Sequence, residues 1–482
     1  MLFNSFEFLL FYLIVVATFF ALPQRHRWIL LLASSYYFYM SWKAEYLVLI
    51  LAATLINYGA GLGMERSQNT TIRRSLLITG VLSSLSILFT FKYLDFFSQS
   101  VEDMLESMNI FRDMPFFELI LPLGISFYTF QAIGYAIDVY RGDTKAERHL
   151  GIFALYVSFF PQLVAGPIER SYHLLPQFKH ETHFEGWRLS SGLQLILWGL
   201  IKKVIIADTL SAVVDTVYAA PGAYSGPFLI LATLFFAVQI YCDFSGYSDM
   251  AVGTARIMGY DLMTNFSRPY FADSVADFWR RWHISLSTWF RDYVYRPLGG
   301  NRVPVGTWIR NILVVFLLSG VWHGANWTFI AWGGIHGITM IAGRLTAPLR
   351  SRITIGIGLT RLPRLHKFLR IMCVIVIAVT AWVFFRAQSL AEALLILQGF
   401  WDFEGSNLQT LWALGLTRFQ LATAFGGIVL LFAFEWVQEY QPQSILGLWQ
   451  IRALRWSTYL AAFYGIVSFG VFGNLEFIYF QF

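Results

Sequence analysis

The chain of 482 residues is 57% hydrophobic and 18% aromatic, with only 13% charged residues and a mean hydropathy of +0.56. That composition excludes an ordinary soluble domain and points to an all-α polytopic membrane protein, since helices satisfy their own backbone in lipid and the short alternating segments of a barrel are missing. The net charge of +6 sits mostly in loops, so it reports topology and not nucleic-acid binding. The two cysteines, Cys242 and Cys373, offer neither a disulfide framework nor metal-ligand spacing.

Ser5–Leu22 is a first apolar span with no basic stretch before it, unlike a cleaved signal peptide. Arg25 and Arg27 follow it, which predicts a cytoplasmic loop there and an external N-terminus. Trp28–Trp42, Tyr46–Gly63 and Ser75–Phe97 are the next apolar runs. Gln99–Pro115 is polar and amphipathic, as expected of an external or interfacial segment. Phe116–Tyr140 contains LPLGISFYTFQAIGYAIDVYRG, where Pro122 and Gly124 predict a bend and Gln131 adds a polar group. Ile152–Val164 leads into FFPQLVAGPI, whose prolines and glycine argue against a straight helix. The hydrophilic stretch Glu169–Arg188 holds His173, His180 and His183, whose spacing suits loop histidines better than a metal site.

Trp187–Val204 spans again, with Lys202 and Lys203 expected at its end, and Phe228–Met250 spans with QIYCDFSGYSDM. Asp243, Ser245 and Asp249 in that stretch read as polar tunnel-lining residues, together with Gln131, with a serine nucleophile as the alternative that the missing strained elbow disfavours. The arginine-rich loop Arg256–Arg310 is the firmest cytoplasmic assignment in the chain. Ile371–Phe385, Ser389–Phe400, Phe419–Val437 and Trp456–Phe472 complete the apolar segments, and the tail Gly473–Phe482 is expected to be external. No internal repeat, low-complexity linker or appended soluble domain is evident.

Two stretches carry candidate chemistry. The first is SGVWHGANW, Ser319–Trp327, inside an apolar run from Ile309 to Ile341 that is flanked by arginines at both ends. The run is too long for one ordinary span, which needs about 20 residues. Two short helices meeting near His323 are expected, with both outer ends cytoplasmic. A histidine within the membrane is either a functional group or a buried ring bonded to a carbonyl. Asn326 either orients that imidazole or caps a half-helix. The second is FWRRWHISLSTWFRDYVY, Phe278–Tyr295. As one helix it places Trp279, Trp282, Leu286, Trp289, Phe290 and Tyr293 on one face, with His283 at the border. This predicts an amphipathic interfacial helix. Arg280, Arg281 and Arg291 beside His283 would suit a phosphorylated cytosolic ligand.

WRRWHISLSTWFRDYVYRPLGGNR followed by SGVWHGANWTFIAWGGIHG resembles the membrane-bound O-acyltransferase family, in its alginate O-acetylase and peptidoglycan O-acetyltransferase branch. LPLGISFYTFQAIGYAIDVYRG, FFPQLVAGPIER and DFSGYSDMAVG are similar to the same branch in the same order, so residues 121–337 form the motif-bearing core of a single membrane domain over 1–482. The resemblance implies about 11 transmembrane helices plus re-entrant or interfacial helices around a central tunnel. It implies that His323 is the catalytic residue, a general base, with His283 as the second functional histidine. Asn326 or a helix-end N–H would steady the oxyanion. Acetyl-coenzyme A would be the acyl donor, reaching Arg280, Arg281 and Arg291 from the cytoplasm, with no bound cofactor and no metal. The acceptor would be an exported polysaccharide, alginate-like or peptidoglycan, served through a periplasmic acetyltransferase partner of the serine-hydrolase (SGNH) type. The expected location is a bacterial inner membrane, embedded in lipid.

The tail ends FGNLEFIYFQF and resembles the tyrosine-bearing C-terminus of the small partner protein in bacterial cell-wall D-alanylation. That makes Tyr479 a candidate acyl carrier, against the plainer role of an interfacial aromatic anchor. Tyr479 lies seven residues beyond Phe472. That is about 23 Å of extended chain, against about 15 Å to the bilayer midplane. The alternative class is a transporter or polymer-export channel without acyl chemistry, since polar residues and broken helices suit transporters too. It lacks inverted repeats here. A haem or metal role for His323 and His336 is a third reading.

Overall fold

A computed structural model describes residues 1–110, 117, 119–404, 414, 417–443, 450–472 and 477–478. All regular structure among them is helical, as the composition predicts. Six of the described helices are long and apolar enough to cross a membrane, running 44–66, 70–92, 226–257, 305–323, 363–386 and 418–440. The chain divides into two units, residues 1–196 with 247–263 and residues 197–246 with 264–482.

The first unit opens with α1 (Phe6–Ala21), α2 (Gln24–Met40), α3 (Leu47–Arg66), α4 (Thr70–Lys92) and α5 (Leu94–Ser107). Ser5 and Asn69 accept from backbone N–H groups at the starts of α1 and α4, which is why those helices begin there. α6 (Ile125–Arg141) starts only after Gly124. The bend expected at Pro122 and Gly124 is therefore a helix start. Gly124 has φ +69, and a Cβ there would sit 2.3 Å from the Leu163 carbonyl oxygen, so glycine alone fits. α3, α4 and α6 pack together, with Asn57 Nδ2 donating to Ser84 Oγ at 2.9 Å. FFPQLVAGPI breaks as expected, into α7 (Leu150–Ser158) and the single turn α8 (Phe160–Leu163), followed by α9 (Ser171–Leu174).

α10 (Gly186–Leu200) and α12 (Gly226–Ile257) each contribute residues to both units. Within the first unit they touch backbone to backbone, a Cβ on Gly253 lying 2.6 Å from the Gly192 carbonyl oxygen.

In the second unit α10 runs into a π-helical stretch, Ile201–Ala207, and then α11 (Asp208–Ala219), which the hydropathy reading did not anticipate. Lys202 and Lys203 do not end a helix, which continues past them into α11. They are 4% and 5% exposed inside the π-helical stretch. The loop 256–310 contains α13 (Val275–Arg281) and α14 (Ile284–Phe290). α15 (Val305–His323) and α16 (Trp327–Leu345) form a close pair, followed by α17 (Ala347–Gly356), α18 (Pro363–Arg386), α19 (Leu390–Gly399) and helices Arg418–Tyr440 and Arg452–Phe469. Val429, Leu430 and Phe463 on the last two point outward, 65%, 71% and 56% exposed. An apolar outer surface of this kind suits lipid.

Candidate active site

His323 is the last residue of α15, and Asn326 is the N-cap of α16. The break between them is written locally. Gly324 leaves the helix in an extended conformation, and a Cβ there would lie 2.0 Å from the Phe329 ring. Asn326 Oδ1 accepts from Thr328 N–H at 3.0 Å, and its Nδ2 donates to the Gln388 carbonyl at 2.8 Å. Of the two roles open for Asn326, it performs the cap. The two helices meet at His323 as expected, but neither is short. Each has 19 residues, about 28 Å of helix. His323 is therefore a helix length from the arginine-rich loop that precedes α15.

The pair packs tightly because small residues face each other. Cβ atoms built on Gly320 and Gly333 would each lie 2.3 Å from a carbonyl oxygen across the hairpin, those of Phe329 and Phe316.

Around the imidazole the walls are aromatic. His323 is 3% exposed, with ring centroids of Trp332, Trp322 and Phe385 at 4.8, 4.9 and 5.2 Å. Trp322 also packs edge-on against His283 at 5.9 Å, so one indole touches both histidines. Phe244 covers His283 from another side at 4.6 Å.

The segment 278–295 is not one amphipathic helix. α13 ends at Arg281, His283 takes φ +43 and ψ +57, and α14 starts anew at Ile284. Trp282 and His283 are both fully buried in protein. A left-handed histidine is uncommon and costs about 1–3 kcal/mol, so something must hold it. Asn265 does. Its carbonyl accepts from Ile284 N–H at 2.9 Å, and its Oδ1 accepts from Ser285 Oγ–H at 2.6 Å and Ser285 N–H at 3.3 Å. Burial pushes the His283 imidazole well below its ordinary pKa, so it is neutral.

The arginines divide. Arg281 bonds Asp277 at 2.8 Å and Glu439 at 3.0 Å, while Arg280 is exposed and reaches Asp277 at 3.4 Å. Arg291 instead lines a cavity of about 590 Å³ with Arg296 and Arg302, Tyr295 and the Gly299–Asn301 turn. Asp292 bonds Arg291 and Arg296 at 2.9 and 3.1 Å.

Gln131 donates to the Tyr156 carbonyl at 3.2 Å in the first unit, to which Asp249 also belongs. In the second unit Asp243 bonds Lys203, and Ser245 is 1% exposed. Tyr479 lies outside the described residues. His336 is buried against Trp279, whose Nε1–H points at its Nδ1 from 3.4 Å. Among the described residues no group of three His, Cys, Asp or Glu side chains is placed to hold a metal. Sequence reasoning missed Asn265 and Glu435, and placed Lys203 at the end of a span. Glu435 is buried and accepts from the Tyr241 hydroxyl.

The sequence pattern of the membrane-bound O-acyltransferase family matches residues 149–391, which include every residue of this aromatic box. The chain belongs to that family. It is 39% identical over 449 residues to a probable alginate O-acetylase of Pseudomonas aeruginosa, covering 92% of this chain and 83% of the relative. A peptidoglycan O-acetyltransferase of Helicobacter pylori is 37% identical over 406 residues, 78% and 74% of the two chains. A teichoic acid D-alanyltransferase of Streptococcus thermophilus is 31% identical over 255 residues, 48% and 59%. The protein is thus a multi-pass bacterial membrane O-acyltransferase, and family membership decides for acyl chemistry over the transporter alternative.

Proposed function

We propose that the protein moves acetyl groups from cytosolic acetyl-coenzyme A across the inner membrane for O-acetylation of an exported polysaccharide. The observation that carries this reading is the buried pair His283 and His323 on one indole, at the junction of two apolar helices. Names of relatives that act on alginate and peptidoglycan support a polymer acceptor.

His323 acts as general base. It takes the proton from an acceptor hydroxyl as that oxygen attacks the thioester carbonyl. The tetrahedral oxyanion then collapses, the C–S bond breaks, and the departing thiolate takes the proton back from the imidazolium. Positioned general bases contribute about 10²–10⁴-fold. Neutral His283 orients one reactant beside Trp322. With the Asn326 amide engaged in its cap, a helix-end N–H is the better donor to the oxyanion. The Arg291–Arg296–Arg302 cavity suits the donor's phosphates. Asn311, on α15, donates to the Leu298 and Gly300 carbonyls at the cavity's edge. From Asn311 to His323 is about 18 Å of helix at 1.5 Å per residue, a span that suits an extended pantetheine arm. The hydroxyl that receives the acetyl group first is that of Tyr479, which then hands it to a periplasmic acetyltransferase partner of the serine-hydrolase type. Both termini lie outside.

Purified protein in nanodiscs with acetyl-labelled acetyl-coenzyme A tests this. Coenzyme A release is expected to vanish in His323→Ala, and label is expected on Tyr479 in wild type and not in Tyr479→Phe. Turnover that survives His323→Ala would end the base assignment. His323-dependent release in wild type with no label on the protein would end the carrier assignment alone.

A further inference from the structure

The π-helical stretch Ile201–Ala207 turns Lys203 inward, where the acyl-transfer scheme gives it no task. Its Nζ lies 2.9 Å from Asp208 Oδ1 and 2.7 Å from Asp243 Oδ1. All three residues are at most 5% exposed. Charges this deep persist when they are paired and fully hydrogen-bonded. The remaining Asp243 oxygen, Oδ2, accepts from the backbone N–H of Ile478 at 2.7 Å, 235 residues further on. Phe477 and Ile478 are 2% and 1% exposed. The Phe477 ring lies 5.7 Å from Phe244, the same ring that covers His283 at 4.6 Å. Further back, Val471 N–H donates to the Val204 carbonyl at 2.9 Å, beside Lys203. Val471 is thus held by the π-helical stretch, and Ile478 by a buried carboxylate one aromatic ring from the histidine pair.

We propose that Lys203 and Asp243 form a receptor for the C-terminal tail, with Asp243 a positioning residue that fixes the register of the chain immediately before Tyr479. The proposal rests on Tyr479 as acyl carrier only for its catalytic consequence; the docking stands on its own contacts. A packing ion pair needs no main-chain partner. Here the carboxylate divides its oxygens, one for the lysine and one for a single amide. Bonding a backbone N–H with a charged acceptor is strong and insensitive to the side chain at 478, but it is lost if the tail shifts by one residue. Lys203 holds the Asp243 carboxylate in place through Oδ1 and leaves Oδ2 for the tail. Asp208 holds the lysine from its other side.

Two readouts separate docking from the carrier chemistry. In full-length protein with Cys373→Ser, an Ile478→Cys thiol keeps the backbone N–H and reports tail release through its maleimide alkylation rate in nanodiscs. Asp243→Ala is expected to raise that rate by about tenfold or more, and Asp243→Asn, which keeps an oxygen acceptor, by less. Without the cysteine reporter, Ile478→Pro removes the N–H donor and leaves Asp243 in place. It is expected to lower kcat by about tenfold with KM for acetyl-coenzyme A unchanged, and Asp243→Ala to add little to it. An unchanged alkylation rate in a folded Asp243→Ala protein would overturn the receptor. Should Asp243→Ala fail to fold, wild-type kcat in Ile478→Pro, in an enzyme that Tyr479→Phe inactivates, would overturn it instead. If Tyr479→Phe is fully active while Asp243→Ala still releases the tail, docking stands and the carrier reading falls.

Discussion

Replacing Asn265 by alanine removes the side-chain half of the clamp behind His283 and keeps the backbone bond to Ile284. The side chain accepts from both the N–H and the hydroxyl of Ser285, which is fully buried. Leaving such groups without their acceptor costs about 1–3 kcal/mol. The left-handed conformation at His283 stores a similar amount, about 1–3 kcal/mol. Clamp and strain are therefore nearly matched, and losing the first lets the second relax by rotating the imidazole away from Trp322. A transition state that needs His283 in place would lose about 5- to 150-fold in kcat, at about 1.4 kcal/mol per tenfold. The assay is coenzyme A release under saturating acetyl-coenzyme A in nanodiscs. Asn265→Asp, which retains the accepting oxygen, should recover most of the rate. Wild-type kcat in a folded Asn265→Ala enzyme would refute the reasoning, as would an aspartate variant no better than alanine.

Gly320→Ala or Gly333→Ala should destabilise the α15–α16 pair by about 1–3 kcal/mol or more, because either Cβ would meet a carbonyl oxygen at 2.3 Å. Gly334→Ala, with nothing within 4 Å, should leave the melting temperature in detergent unchanged. Arg296→Ala and Arg302→Ala should raise KM for acetyl-coenzyme A several-fold with kcat little altered, whereas Arg280→Ala should change neither; equal effects in steady-state kinetics would remove the cavity from donor binding. The Glu169 carboxylate, 2.6 Å from His173 Nδ1, raises the His173 pKa above its ordinary value. A raised folded pKa contributes stability that is complete below the unfolded pKa of about 6.5 and is lost as pH rises through the folded value. Thermal unfolding should therefore show a small loss of stability on going alkaline from about pH 6.5, and His173→Gln should abolish that slope.

The sequence by itself determined the helical membrane class, the family, and the break at His323. Each is a local or compositional property: an apolar excess, a glycine that an aromatic ring excludes from any larger side chain, and an asparagine whose short amide caps the next helix. Helical phase was the weak point. Projecting Phe278–Tyr295 onto one wheel assumes an unbroken helix, and a single left-handed residue at His283 resets the phase, so residues placed on one face belong to two separate helices and are buried in protein. Only the tertiary structure decided what holds that turn, which arginines line the cavity, and why Lys203 is buried. Asn265 and Ser285 are 20 residues apart, and Asp243 and Ile478 are 235 apart. Hydropathy scores each residue against its neighbours in sequence, whereas a buried charge or a strained turn is stabilised by partners that the chain brings close only on folding.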